Sequence, residues 1–223
     1  MTVFLPGALG DINPTLNHRI PRESKQALAA IARQYRSAIE SGLKEVALIP
    51  TDEIESIRRE VKFARKPWSR ISIERCIRKL EAKFTSDGIS DFPHNRDRSA
   101  LFTNGMEMAR LQGLRSILNT CRGEKVPNPS VTLHGIKLGP VVLMGFGLEL
   151  HEPLGKAIMA DHSDEKICIV SLVGGMGYAP DAAAQKRAGY AADFVPLICG
   201  EIPFAKIHRE LLPALERMIR RLR

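Results

Sequence analysis

Two apolar runs, each followed at once by glycines, constrain the fold of this chain more than any other feature. The first run covers residues 141–146 and leads into Gly147, and the second covers residues 167–173 and leads into Gly174 and Gly175. Runs of this length that are apolar on both faces are typical of central strands in a sheet covered by helices. The sequence therefore predicts two central strands with glycine-rich turns at their carboxyl ends.

The rest of the chain alternates between helical and extended patterns. Apolar residues recur at helical spacing in segments 21–41, 72–84, 101–122 and 201–223, and Pro180 with Asp181 begins a short alanine-rich helix. A further helix is predicted for residues 51–64, strands for residues 3–5, 46–49 and 131–136, and a loop or edge strand for residues 192–199. This pattern predicts a single domain, residues 1–223, of the α/β class, in which helices flank a layered sheet.

Three polar residues follow predicted strands and are candidate functional residues. Asp11 lies in the loop after residues 3–5, Glu149 opens a predicted helix after the first apolar run, and Tyr178 follows the second. Chemistry in open α/β sheets lies at the carboxyl ends of the strands, so parallel strands would bring these side chains to one cleft. Antiparallel strands would place them at opposite ends of the sheet. Each residue also has a structural interpretation, as a turn residue or as a carboxylate that accepts backbone N–H groups.

The same segments carry a resemblance to one protein family. Glu149 is followed three and six residues later by Glu152 and Gly155. The second segment reads Gly174-Gly175-Met176-Gly177-Tyr178-Ala179-Pro180 and is followed by Gly189-Tyr190. Near the N-terminus stands Gly10-Asp11-Ile12-Asn13-Pro14-Thr15. In this order the three pieces resemble motifs of the neutral/alkaline non-lysosomal ceramidases and their bacterial relatives.

The resemblance implies a zinc amidohydrolase that cleaves the N-acyl amide bond of a sphingolipid-like substrate. By motif position, Glu149 and Tyr178 correspond to the family's glutamate and tyrosine zinc ligands, with Tyr190 as the weaker match for the tyrosine. Asp11 and Asn13 fall in the family's nucleophile region and are candidate catalytic residues. Asn13 stands where the family has a serine. Because an amide is not a nucleophile, Asn13 could only donate a hydrogen bond to a developing oxyanion.

The zinc ligand set that the resemblance implies is incomplete in this chain. A catalytic zinc has three or more protein ligands, and the family takes two histidines from an N-terminal half that this chain does not match. His151 would point away from Glu149 if both stood on one helix. The chain therefore resembles the C-terminal half of a catalytic domain, to be completed by an N-terminal half-domain chain or by a homo-oligomer. The alternative is a non-catalytic descendant of the fold, acting as a binding or structural protein.

The charge balance bears on the partners. Lys and Arg number 33 against 25 Asp and Glu, and a net charge of +8 would favour peripheral contact with an anionic membrane, an acidic partner or nucleic acid, although a solvated basic surface is the favoured explanation. A basic nucleic-acid-binding module is the third hypothesis. No nucleic-acid-binding motif is present and aromatic residues for base stacking are only 5%, so nucleic acid is not expected as a partner.

The sequence leaves the compartment open. Residues 1–6 are too short for the apolar core of a secretory signal, and no run is long enough to span a bilayer, so neither element is predicted. Members of the ceramidase family are often secreted or periplasmic. The four cysteines form no Cys-x-x-Cys motif and indicate neither a metal site nor a redox site.

Overall fold

The protein has two sheets, and each of the two predicted apolar runs contributes a strand to the larger one. The computed structural model describes residues 5–13, 21–49, 51, 53–87, 98–162 and 166–223. In chain order the described strands are β1 (Ile54–Val61), β2 (Val131–Leu138), β3 (Val141–Phe146), β4 (Glu149–Leu150), β5 (Lys166–Val170) and β6 (Tyr178–Ala179). A four-stranded sheet has the order β1-β2-β3-β5, and β4 pairs with β6 in a second sheet.

The larger sheet is mixed, with both antiparallel and parallel pairs of strands. β1, β2 and β3 pair antiparallel, and β3 pairs parallel with β5. The β2–β3 hairpin turns at Gly139, whose φ of +54° suits glycine better than any residue with a Cβ. The first apolar run is thus an inner strand, as predicted. The second is not, because β5 lies at the edge of the described sheet, ends at Val170 and leaves Cys168 exposed.

The described part of the chain has seven α-helices, some of which flank the sheet, and this confirms an α/β fold with a layered, helix-flanked sheet. They are α1 (Pro21–Gly42), α2 (Arg70–Ser86), α3 (Arg98–Thr120), α4 (Glu152–Asp161), α5 (Ala182–Arg187), α6 (Val195–Ile198) and α7 (Ile207–Ile219). A π-helix, Tyr190–Phe194, leads directly into α6. Among the described helices, none is both long and apolar enough to cross a membrane.

The last helix forms the main core with the sheet. Its predicted apolar stripe is buried, with Ile207, Leu211 and Leu215 at 0% exposure, against Leu133 of β2 and Phe146 of β3. Burying side chains of this size stabilises a fold by about 1.5–3 kcal/mol each relative to leaving them exposed. The helix begins at Ile207 rather than at the predicted residue 201, because residues 201–206 are not helical and Phe204 bridges to Arg65.

A second apolar cluster joins α2, α3 and α6 away from the sheet. The predicted apolar face of α2 is buried there, and it consists of Ile73, Ile77, Leu80 and Phe84. The helix begins with a capping box in which Ser69 accepts from the Ser72 N–H and the Ser72 side chain accepts from the Ser69 N–H. Residues 192–199, predicted as a loop or edge strand, are instead helical and bring Leu197 into this cluster.

The prediction of a helix for residues 51–64 is wrong. Ile54, Ile57 and Val61 have the spacing of a helix face, but this segment forms β1 and pairs along its whole length with β2. Pairing with β2 outweighs local helix preference, which amounts to only a few tenths of a kcal/mol per residue. Residues 46–49 likewise form no strand. The strand predicted for residues 3–5 lies mostly outside the described residues.

Helix α1 leaves its apolar stripe uncovered. Leu28, Tyr35 and Ile39 recur at helical spacing and are 67%, 55% and 51% exposed. Such a stripe normally packs against a partner helix or sheet. The expectation that the chain exposes apolar surface until it meets a partner or a second copy stays a prediction.

Gly113 of α3 provides a test of the second cluster. Glycine in a helix is about 1 kcal/mol less favourable than alanine, so Gly→Ala normally stabilises. At Gly113 an added Cβ would lie 1.8 Å from the carbonyl oxygen of Leu197 in α6. We therefore expect Gly113→Ala to lower the free energy of unfolding by about 1–3 kcal/mol in urea titrations.

The matched control is Gly42→Ala at the end of α1. Nothing lies within 4 Å of an added Cβ at this position. We expect a change of less than about 0.5 kcal/mol. If Gly113→Ala were as stable as the unmodified chain, the close packing of α3 on α6 would be contradicted.

Candidate functional site

Two glycines bring the chain segments after β3 and β5 into close contact. A Cβ on Gly147 would lie 2.9 Å from the Cα of Gly175, and a Cβ on Gly175 would lie 2.9 Å from the Gly147 carbonyl oxygen. The Val173 N–H donates to the Phe146 carbonyl oxygen at 2.9 Å. Only residues without a Cβ fit where two backbones approach this closely. Because of this contact the two segments are adjacent where β4 and β6 begin, and the two strands can pair.

The pairing of β4 with β6 makes Glu149 and Tyr178 neighbours. They are register partners in a parallel ladder, as Leu150 and Ala179 are. The Glu149 N–H donates to the Gly177 carbonyl oxygen at 2.8 Å, and the His151 N–H donates to the Ala179 carbonyl oxygen at 3.2 Å. The parallel arrangement therefore brings these two predicted residues together at one rim.

The two side chains also interact electrostatically, since the Glu149 carboxylate acts on the Tyr178 phenol. Burial and then the negative charge of Glu149 raise the pKa of Tyr178 to about 12. The ring of Tyr190 packs edge-on against that of Tyr178, with 6.0 Å between ring centroids. At neutral pH the rim therefore presents a protonated phenol beside a carboxylate.

The N-terminal loop docks against the same rim. The Gly10 N–H donates to the Leu150 carbonyl oxygen at 2.9 Å, and Asp11 Oδ1 accepts from the Glu152 N–H at 2.6 Å. Glu152 is the first residue of α4, so Asp11 satisfies a helix donor that has no partner within the helix. Asn13 lies two residues beyond Asp11 and is exposed. Pro14 and Thr15 lie outside the described residues.

His151 lies between two carboxylates and is 4% exposed. Its Nδ1 is 3.1 Å from Asp181 Oδ2 and 3.9 Å from Asp11 Oδ2. Asp181 caps α5 by accepting from the N–H groups of Ala183 and Ala184. Burial alone would raise the pKa of Asp181, but the hydrogen bonds from Ala184, His151 and Ala183 outweigh it and lower the pKa. Asp181 is therefore an ionised acceptor at neutral pH.

Asp11, His151 and Asp181 form a group that could hold a metal ion. One ligand atom from each lies within 4.8 Å of the others. An ionised carboxylate can only accept, so without a metal Nδ1 carries the proton that it donates to Asp181. His151 Nε2 is buried and without a hydrogen-bond partner in the described part of the chain. To bind a cation through Nδ1, the imidazole must hold its proton on Nε2 instead.

His151 and Asp181 were not identified from the sequence as residues of the site. For His151 the reason is geometric. Helix α4 was predicted to open at Glu149, which would point His151 to another face. The helix instead begins at Glu152, and Glu149 lies in β4. In an extended segment residues two apart share a face, so His151 follows Glu149 toward Tyr178, with 6.3 Å between the two ring centroids. The signal available in the sequence was Pro153, which is tolerated in the first helical turn.

The chain was compared with protein-family models, with curated proteins and with solved structures. None of the three comparisons found a match.

Gly10 provides a test of how the loop is held. An added Cβ would lie 2.7 Å from the Glu149 carbonyl oxygen and 3.1 Å from the His151 ring. We expect Gly10→Ala to displace the loop that carries Asp11 and to lower the free energy of unfolding by about 1–3 kcal/mol. Chemical denaturation measures this loss, and amide exchange at Glu152 reports whether Asp11 still accepts its N–H.

The control is Gly7→Ala in the same loop. The nearest atom to an added Cβ there is the Ile169 carbonyl oxygen at 4.0 Å, so the methyl group fits. We expect wild-type stability and wild-type exchange at Glu152. Similar behaviour of the two variants would contradict the docking of the loop through Gly10.

Ionisation of the Tyr178 phenol makes the free energy of unfolding depend on pH in the alkaline range. The ordinary pKa of 10.0 describes the unfolded chain, and the folded value is about 12. Above pH 10 the unfolded state ionises first, so this contribution is complete below pH 10 and is lost as pH rises through 12. We expect Tyr178→Phe to lose less stability than the wild type between these values in urea titrations. Tyr35→Phe on α1 should follow the wild-type curve; if Tyr178→Phe followed it too, the raised pKa would be contradicted.

Proposed function

We propose that this chain is one half of a ceramidase-like zinc amidohydrolase. In this proposal it hydrolyses the N-acyl amide bond of a sphingolipid-like substrate only when an N-terminal half completes its site. Glu149 and Tyr178 are the zinc ligands that this half contributes. Asp11 and Asn13 are its catalytic-loop residues.

The observation that carries the proposal is the meeting of three distant segments at one rim. Glu149 and Tyr178 are register partners, and the loop with Gly10 and Asp11 bonds to the backbone on either side of His151. These are the same three segments that resemble the ceramidase motifs. Unrelated matches scattered along a chain would have no reason to be in contact, so their convergence supports a shared site.

The donors at the rim suit a divalent cation of the zinc type. Glu149, Asp11 and Asp181 offer carboxylate oxygens, Tyr178 a phenol oxygen and His151 an imidazole nitrogen. Zinc accepts nitrogen and carboxylate oxygen readily, while the same set would also accept other borderline divalent ions. The contact group of Asp11, His151 and Asp181 exists whatever the identity of the ion.

The chain's own residues would then act as follows. Zinc, when bound, supplies Lewis-acid polarisation of the amide carbonyl and acidifies a water molecule. Glu149 and Tyr178 are held in register by β4 and β6, so both oxygens are positioned before a substrate arrives. Asp181 fixes the ring of His151 through Nδ1. Asn13, on the exposed part of the loop, supplies an amide N–H for the developing oxyanion.

The ligand set that the resemblance implies is completed by a second polypeptide. This chain supplies Glu149 and Tyr178 of that set, and a catalytic zinc site has three or more ligands. We infer that an N-terminal half-domain chain supplies the remainder, and a homo-oligomer is the alternative partner. The uncovered stripe of α1, with Leu28, Tyr35 and Ile39, is consistent with such a partner because it leaves apolar surface to be buried.

One observation favours a second function, that of a non-catalytic binding or structural protein. Asp11 and Asp181 each accept backbone N–H groups at the start of a helix. Capping of this kind stabilises a helix by about 1 kcal/mol. It therefore gives both carboxylates a structural role that requires no catalysis. The two functions differ in whether the rim binds metal.

Metal binding by the purified chain separates these functions. We expect zinc to bind, and Glu149→Gln and Tyr178→Phe each to weaken binding by about tenfold or more in calorimetric titrations. Asp181→Ser tests the alternative ligand group of Asp11, His151 and Asp181, since serine also caps helices but provides no carboxylate. If Glu149→Gln and Tyr178→Phe left zinc affinity unchanged while Asp181→Ser abolished it, the ligand assignment would be wrong.

Catalysis tests the incompleteness of the site. We expect the isolated chain with added zinc to show no turnover of a ceramide-like amide, because it lacks the paired histidines of the family. Product release is followed by chromatography of the freed fatty acid. Turnover that a chelator abolishes would show that the chain is complete by itself.

A further inference from the structure

A small cleft lies between the edge strand β1 and the C-terminal half of α7. Its volume is about 220 Å³, and three arginines line it, Arg59, Arg217 and Arg221. The apolar part of its wall is formed by Val61, Ala214 and Met218, and Glu60 completes it. The cleft is thus a basic pocket with an apolar floor.

The periodicity of the two elements explains why the arginines converge. On β1, residues 57, 59 and 61 alternate to the face that packs on the core, so Arg59 projects between Ile57 and Val61 toward α7. Arg217 lies in the last turn of α7, and Arg221 lies in the turn directly after the helix, where its N–H donates to the Met218 carbonyl oxygen at 3.0 Å. One arginine from a strand and two from the end of α7 and the turn after it therefore line the same cleft.

These three guanidinium groups have no acidic partner among the described residues. The neighbouring arginines do, because Arg58 pairs with Glu60 at 2.8 Å and Arg220 pairs with Glu216 at 3.8 Å. Glu60 does not neutralise the cleft. Its carboxylate accepts from Ser130 and Thr132 as well as from Arg58, on the other face of the strand.

The helix itself accounts for only part of this charge. Cations near the C-terminus of a helix interact favourably with its exposed carbonyl groups, which explains Arg217 and Arg221 without a ligand. Arg59 lies on a strand and gains nothing from that dipole. It nevertheless lines the same cleft as Arg217 and Arg221, so three exposed cationic residues share one concave surface.

The size and shape of the donors limit the class of anion. Arginine presents a planar fork of N–H donors that matches the oxygens of phosphate or carboxylate. Pockets for whole drug-sized ligands are about 300–1,000 Å³, and a cleft of about 220 Å³ is smaller than these. It can take a phosphate-sized head group but not a complete nucleotide.

We propose that this cleft is an oxyanion-binding site that takes phosphate or a phosphate monoester, held by Arg59, Arg217 and Arg221. The site is distinct from the rim with Glu149 and Tyr178. The N-terminal end of α7 faces that rim, since His208 bonds to Gln185 of α5. Arg217 lies about 14 Å further along the helix. The proposal is therefore independent of any amidase activity.

Titration of the full chain with inorganic phosphate at constant ionic strength tests the proposal. We expect saturable binding with a Kd near or below about 1 mM, and a loss of about tenfold or more in Arg59→Gln and in the double variant Arg217→Gln/Arg221→Gln. Glutamine keeps a long polar side chain and good helix propensity, so the variants should fold. Circular dichroism spectra and melting midpoints check this directly.

Two matched controls remove the same charge elsewhere. Arg58→Gln lies on the opposite face of β1, and Arg220→Gln lies on another face of α7. We expect phosphate affinity within about twofold of the wild type for both. Absence of saturable binding up to about 20 mM phosphate would overturn the proposal. Equal losses in the controls and the cleft variants would also overturn it, since they would indicate a general charge effect.

Vesicle sedimentation tests whether the bound phosphate group belongs to a lipid or to a free phosphate. Phosphatidylcholine vesicles containing phosphatidic acid present a phosphate monoester head group, and vesicles containing phosphatidylglycerol provide a charge control. Binding of the phosphatidic acid vesicles that requires Arg217 and Arg221 and is competed by free phosphate would support the site and identify a lipid source. Phosphate binding without vesicle binding would support the site with a free phosphate. Phosphatidic acid binding unaffected by the double variant would contradict a lipid source for the cleft.

Discussion

The contact between the backbones of Gly147 and Gly175 is the constraint on which the rim of the molecule depends. It lies directly after the parallel strands β3 and β5 and holds the two chains close enough to pair again as β4 and β6. A side chain at either position would separate them by its own width. The register of Glu149 with Tyr178 follows from that approach, and the positions of His151 and Asp181 follow from the register.

The carboxylates of the rim have structural partners before any ligand is considered. Asp11 satisfies the first N–H group of α4, and Asp181 satisfies two N–H groups of α5. Both oxygens that approach His151 therefore belong to side chains already fixed at helix ends. A site built in this way is held in place, because moving a carboxylate would remove the acceptors of these helix N–H groups. That arrangement suits a metal site and an inert cap equally, so only metal binding separates the two.

Charge is distributed unevenly along α7, and the two ends of the helix face different surroundings. Its N-terminal end approaches α5 and Asp181, and burial and the charge of Arg209 lower the pKa of His208 there even though Asp181 acts in the opposite direction. Arg217 near its C-terminus and Arg221 in the following turn line one cleft with Arg59. Part of the net charge of +8 is therefore grouped around one concave surface.

The sequence by itself determined the long elements whose apolar pattern is also their packing pattern. The stripe of α7, the buried face of α2 and the inner strand β3 were predicted correctly. The spacing of the apolar residues in each of these elements matches the face or faces that the fold buries. It also selected Glu149 and Tyr178 after the two apolar runs, and these two residues are register partners in β4 and β6. Tertiary structure alone decided that residues 54–61 form a strand, since pairing with β2 outweighed a helical spacing. It also decided that His151 joins the rim, since that depended on whether α4 began at Glu149 or Glu152. Local patterns specify which residues are buried, but the partner that buries them, and the direction in which a polar side chain then points, depend on contacts between segments far apart in the chain.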